Sequence, residues 1–232
     1  MKRLMDSKIH AIDGEIGKAD DFYFDDRSWG IRYMIVNTGD WLTAKKVLLS
    51  PVVINNTDME NNQIYTKLTK NQIVDSPDID TNRPVSQQDD HDEDIWPLYG
   101  MVPAGYPILE NKNKRKERNQ GDPHLRSAEE VIGYNISALD GDIGHVEDMI
   151  VEDVDWAIHF WVVKTKNWLP GKKVLISPHW VNLISWEDEK VYVDMTVDSI
   201  KSSPEYDPSQ PLHMEYEGEL NNYYGRKRFN GQ

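Results

Sequence analysis

The chain has 232 residues, 28% of them charged and 38% hydrophobic, so it can form one large globular domain or two small ones. Its net charge of −14 repels phosphate backbones on average, which argues against general nucleic-acid binding. The absence of cysteine excludes disulfides, thiolate zinc sites, iron–sulfur clusters and a cysteine nucleophile, and it suits a reducing, cytoplasmic location.

The opening "MKRLMDSKIHAIDG" has basic residues but no apolar run behind them, so no signal peptide is expected. No window approaches the roughly 18 apolar residues that span a bilayer. "SKIHAID" reads as a short strand that ends in Asp13-Gly14, a tight hairpin signal. "KADDFYFDD" follows as a second strand. "WGIRYMIVNT" is a third, rich in β-branched and aromatic residues, with Ile31, Tyr33 and Ile35 on one face. "KKVLLSP" and "NQIYTKL" are further strands. Thr69 and Gln72 are spaced as a capping box for a short helix, and Pro77 marks its stop.

The same series then returns. An offset of 127 residues aligns Ile9–Pro77 with Ile136–Pro204 without a gap, with about 27 identities in roughly 69 positions. Gly17 pairs with Gly144, Trp29 with Trp156, Trp41 with Trp168, and "KKVLLSP" with "KKVLISP". Ile158, Phe160 and Val162 repeat the apolar face of the third strand, and "LPGKK" supplies a Pro-Gly turn before the fourth. The predicted division is a first domain over 1–100, a linker over 101–126, and a second domain with a C-terminal tail over 127–232. "SAEE" at Ser127–Glu130 reads as the capped helix start that opens the second copy. Five to six short strands per hundred residues predict an all-β fold of small, strongly curved sheets or barrels with short helices.

The repeated opening is acidic. Asp13, Glu15, Asp20, Asp21, Asp25 and Asp26 stand against Asp140, Asp142, Glu147, Asp148, Glu152 and Asp153. A calcium site in each copy is one reading. It lacks the D-x-D-x-D-G run, because Gly follows the first Asp directly. The favoured reading is a hairpin turn with acids on its solvent face, and no metal ligand or cofactor is assigned. None of the seven histidines recurs at the matching position, and no G-x-S-x-G, P-loop or H-E-x-x-H is present. "HDED" at 91–94, "KNKRKER" at 112–118 and "GRKR" at 225–228 read as solvated loop, linker and tail.

Trp161, Trp180 and Trp186 belong to the second copy alone, facing Met34, Val53 and Met59. Trp161 and Phe160 load both faces of one strand. One of those faces is expected to pack outside its own barrel, and the three tryptophans form the candidate interaction surface. The copies are expected to pack against each other or against a second chain, with a homodimer favoured because it needs only one self-complementary patch.

The stretch from Leu125 to Pro178 resembles the PRC-barrel family, named after the photosynthetic reaction centre H subunit. The resemblance rests on Gly133, Asp140-Gly141, Ile143-Gly144, Asp148, Trp156 and the "KKVLISP" strand. The first copy looks like a more divergent member, and the whole layout resembles the tandem PRC-barrel proteins of bacteria. The resemblance implies two tandem PRC-type β-barrels. It also implies an interaction module without shared catalytic residues, as in the H subunit and the ribosome maturation factor RimM. The expected function is therefore a non-enzymatic, soluble interaction or scaffold protein with a protein partner. The alternatives are a reaction-centre-H-like accessory role in membrane electron transfer and an acidic metal-binding or hydrolytic protein.

Overall fold

The computed structural model describes residues 1–39, 45–88, 121–166, 172–209, 212 and 214–223. The fold is mostly β, 45% strand against 18% helix, and it forms two sheets. The first copy supplies β1 (Lys8–Ala11), β2 (Gly14–Asp25), β3 (Ile31–Asn37), β4 (Lys46–Leu49), β5 (Ile54–Asp58) and β6 (Gln63–Thr66), followed by α1 (Lys70–Val74). Next come β7 (Leu125–Ser127) and α2 (Ala128–Val131). The second copy supplies β8 (Asn135–Ala138), β9 (Gly141–Val151), β10 (Ile158–Thr165), β11 (Lys173–Ile176), β12 (Val181–Ser185) and β13 (Lys190–Val193), with α3 (Val197–Lys201) and α4 (Met214–Tyr223) behind them.

Both sheets have one topology. The first runs β4-β3-β2-β1-β6-β5 and the second β11-β10-β9-β8-β13-β12. Every neighbouring pair is antiparallel except β1 with β6 and β8 with β13, which are parallel. The expectation of closed barrels is corrected: the sheets are open, because β4 and β5, and likewise β11 and β12, end their rows unpaired with each other. Pro51 and Pro178 each start a one-turn 3-10 helix between those end strands. Proline offers no N–H to a ladder, so the chain leaves one end of the sheet there and re-enters at the other.

The predicted hairpins and caps are present. Gly14 and Gly141 have φ of +126° and +154°, a region that side-chain-bearing residues avoid. Gly141→Val is expected to lower stability by about 1–3 kcal/mol, and a thermal melt indistinguishable from wild type would contradict the turn assignment. Gly17 and Gly144 answer to a different constraint. A Cβ on either would lie 2.0 Å from a carbonyl oxygen of the neighbouring strand, that of Asn37 or Lys164. Thr69 and Gln72 form the full capping box of α1, and Ser127 accepts from Glu130 N at the start of α2.

The two copies meet across an internal two-fold relation. Gly30 bridges Ala157, and these residues are 127 apart. Ile31 N donates to Trp156 O at 2.7 Å, while Ile158 N donates to Trp29 O at 2.8 Å. Equivalent residues thus exchange equivalent bonds, as in an isologous dimer interface. The opening segments are exchanged as well. Lys2 N donates to Asp148 Oδ1 at 2.9 Å, and Glu129 N donates to Asp21 Oδ1 at 2.8 Å. β7 extends this exchange by pairing with β2 across Tyr23–Asp25. Leu125 and Arg126, placed in the linker by sequence, therefore belong to the first sheet. One hydrophobic core runs through both copies.

Candidate functional site

Asp13, Glu15, Asp140, Asp142, Glu152 and Asp153 lie on the solvent face as expected, and several of the duplicated acids are structural acceptors as well. Asp13 accepts from Lys70 N at 2.9 Å and Asp140 from Val197 N at 2.6 Å, so each turn acid caps the helix of its own copy. Asp21 and Asp148 receive the opening segment of the opposite copy, as above. Asp20 pairs with Lys46 at 2.5 Å and Glu147 with Lys173 at 3.3 Å. Each of this last pair of acids sits at a bulge in its long strand, where an extra residue turns the side chain out of register.

The three tryptophans singled out by the sequence do not form one surface. Trp161 is 1% exposed and makes edge-on contacts with Phe24 at 6.4 Å and Trp29 at 5.8 Å, both from the first copy. Its extra bulk is matched to the partner copy, since Phe22 and Phe24 stand where the second copy has Met149 and Val151. Trp180 is buried in the 3-10 turn Pro178–Trp180. Trp186 is half-buried. Two of the three are therefore shielded from an external partner, and the uncovered aromatic surface that motivated a homodimer is largely covered within the chain. Trp41, Trp168 and the runs at 91–94, 112–118 and 225–228 lie outside the described residues.

Sequence reasoning missed a cleft of about 300 Å³ on the outer face of the first sheet. Its floor is apolar: Tyr23, Ile35 and Ile79. Tyr23 and Ile35 belong to a small cluster with Leu48 and Leu125, separate from the main core. Its polar wall holds Asp20, Asp21, Lys46, Ser127, Glu129 and Glu130. β2 delivers Asp20 and Asp21, β4 delivers Lys46, and the second copy's opening segment delivers Ser127, Glu129 and Glu130. The site thus exists only because the copies exchange those segments. Glu130 is held by Ser86 Oγ at 2.5 Å and Tyr134 OH at 3.1 Å, and Glu129 is exposed at the mouth.

Asp21 is a strongly perturbed acid of the cleft. Burial raises its carboxyl to about 7, opposed by hydrogen bonds from Ser127 Oγ, Glu129 N and Phe22 N. The second copy differs here at several lining positions: Ile150 stands where the first has Tyr23, Lys2 and Arg3 stand where the first cleft has Glu129 and Glu130, and Ile79 is replaced as well. Tyr206 stands at the position of Ile79 under the 127-residue offset and is half-buried against the main core. Burial raises its phenol, and Asp148 raises it further. A large ring near the acid thus replaces the short aliphatic residue that lines the cleft in the first copy.

A second polar group lies on the surface of the second copy. Glu152, Asp155 and His159 bring three donor atoms within 4.8 Å of one another, an arrangement that could hold a metal ion. His159 Nε2 lies 3.0 Å from Asp155 and 3.4 Å from Glu152. The first copy has Asp25, Ser28 and Arg32 in these places, and Arg32 pairs with Asp25 at 3.2 Å.

No protein-family model matches the chain, and no curated protein matches it. No described helix is long and apolar enough to cross a membrane.

Proposed function

We propose that the chain is a non-enzymatic interaction or scaffold protein of the PRC-barrel kind, with the acidic cleft of the first copy as its docking point. One observation carries this reading. Of the acids that recur in both copies, Asp13 and Asp140 cap helices, and Asp21 and Asp148 accept from the opposite copy's opening segment, whereas the cleft as a whole combines Tyr23, Ile79, Glu129 and Glu130, which have no like counterpart in the other copy. Shared structure is spent on holding the two copies as one body, and the asymmetric part is left to recognise something. Paired affinity captures from the source cells test this, with wild type and Ile79→Tyr as baits. A protein retained reproducibly by wild type and lost with Ile79→Tyr is the expected result. Retention of nothing reproducible, or equal retention by both baits, counts against it.

A second reading, cation binding at the surface of the second copy, is favoured by the Glu152, Asp155 and His159 cluster. The first copy places the guanidinium of Arg32 where the second has His159, so the position suits a positive charge. The donor separations of 3.0 and 3.4 Å are those of neighbouring ligands around an ion with bonds of about 2.1 Å. Calorimetric titration with zinc and manganese should give heat in wild type that is lost in His159→Arg. Equal heats in the two proteins would remove this reading.

A further inference from the structure

We infer that the cleft takes the side chain of a lysine or arginine presented by a partner polypeptide, its alkyl stem on Tyr23, Ile35 and Ile79 and its cationic head among Asp21, Glu129 and Glu130. This inference rests on the interaction reading above and gives it a chemical class.

The charge balance comes first. Four acidic side chains and one ammonium line the cleft, and because burial favours the neutral form of Asp21 the negative charge rests chiefly on Asp20, Glu129 and Glu130. Lys46 is paired with Asp20 at 2.5 Å and is only a more distant charge to Asp21 and Glu129, so neither Glu129 nor Glu130 has an ion pair with it. A cationic head would meet favourable charge there, in a partly desolvated setting where such contacts are stronger than in water.

The floor then narrows the class. A small hydrated ion gains nothing from Tyr23, Ile35 and Ile79. A basic side chain has an apolar stem as well as a charged end, and it uses both kinds of surface at once. A volume of about 300 Å³ suits one long side chain and is at the lower limit for a drug-sized molecule. The repeat supplies an internal comparison. The second copy has Tyr206 where the first has Ile79, so an aromatic side chain is compatible with this fold at the position where the first copy has space.

The experiment uses the full chain and small probes. N-acetyl-lysine amide and N-acetyl-arginine amide are titrated while backbone amide resonances are followed, with N-acetyl-norleucine amide as the neutral match. At least one cationic probe is expected to bind with a dissociation constant on the order of 1 mM, the scale for a ligand of so few atoms. Its shifts should centre on Asp21, Phe22, Ser127 and Glu129. Ile79→Tyr should abolish them by filling the cleft. Glu129→Lys, a change at an exposed position, should weaken binding at least fivefold by supplying a cation from the chain itself. Absence of binding by both cationic probes, equal binding of the norleucine probe, shifts centred elsewhere, or unchanged affinity in Glu129→Lys would each overturn the inference. A failure here with a partner still lost in the Ile79→Tyr capture would leave the interaction reading intact and discard only the basic side chain.

Discussion

Replacing Trp161 by alanine is expected to lower stability by about 3–5 kcal/mol, and to loosen both copies rather than the second alone. The side chain is 1% exposed and lies against Phe24 and Trp29 of the first copy, so its removal leaves a cavity on the internal two-fold. Neighbours there are held by the exchanged bonds between Trp29 and Ile158 and between Trp156 and Ile31, which limits collapse into the gap. Both Trp29 and Trp156 also sit at positive φ, 62° and 53°, a costly conformation for a bulky residue that depends on surrounding contacts. Trp161→Phe should cost much less. It keeps an aromatic edge toward Phe24 and Trp29 and removes an indole Nε1 that has no hydrogen-bond acceptor in the structure. Urea unfolding followed by far-UV circular dichroism and tryptophan fluorescence reads both points. Wild type should give one coincident transition, since one core serves both copies. Two separated transitions in wild type, or an unchanged midpoint in Trp161→Ala, would contradict a shared core centred on this residue.

The contrast between Trp161 and the exchanged segments shows which features the sequence carries openly. The repeat from Ile9 to Pro77 was legible because its turns and strands need particular side chains: glycine at 14 and 17, tryptophan at 29, a Ser-Pro pair at 50 and 51. The heavy loading of the strand around Trp161 was legible for the same reason, although where it packs was not. The exchange of opening segments left no such mark. Residues 1–8 share no identity with 128–135 under the offset, yet Lys2 and Glu129 do equivalent work. Both use the backbone N–H, which every residue except proline has, so identity had no reason to persist. Closure of the sheets was misjudged because it turns on pairing between distant strands, which composition and alternation do not report. The cleft was invisible for a third reason. The difference between Ile79 and Tyr206 is a conservative apolar change in the sequence, and it becomes an open or a filled space only once Asp21 and Asp148 are placed beside those residues.

Asp21→Asn is expected to make stability less dependent on pH, and the size of the effect follows from the carboxyl itself. Its value is about 7 in the folded chain against 3.8 for an unperturbed group. The folded protein therefore holds a proton that the unfolded chain has released, throughout the interval between those values. The stabilisation linked to that proton is fully present below pH 3.8 and is lost as pH rises through 7. About three pH units correspond to roughly 4 kcal/mol, of which about 3 kcal/mol falls between pH 5 and pH 8. Asparagine keeps an oxygen to accept from Glu129 N and Phe22 N, and it offers Ser127 Oγ a donor in place of an acceptor. It cannot ionise. Relative to wild type, the variant should gain stability chiefly from pH 5 to pH 7 and level off by pH 8. Every other ionisable group is common to both proteins and cancels in the difference. The measurement is the urea-unfolding free energy of both proteins at pH 5, 6, 7 and 8. A wild-type-minus-variant difference that stays flat across those four values would show that Asp21 is already ionised at pH 5, and would remove the buried, protonated acid from the wall of the cleft.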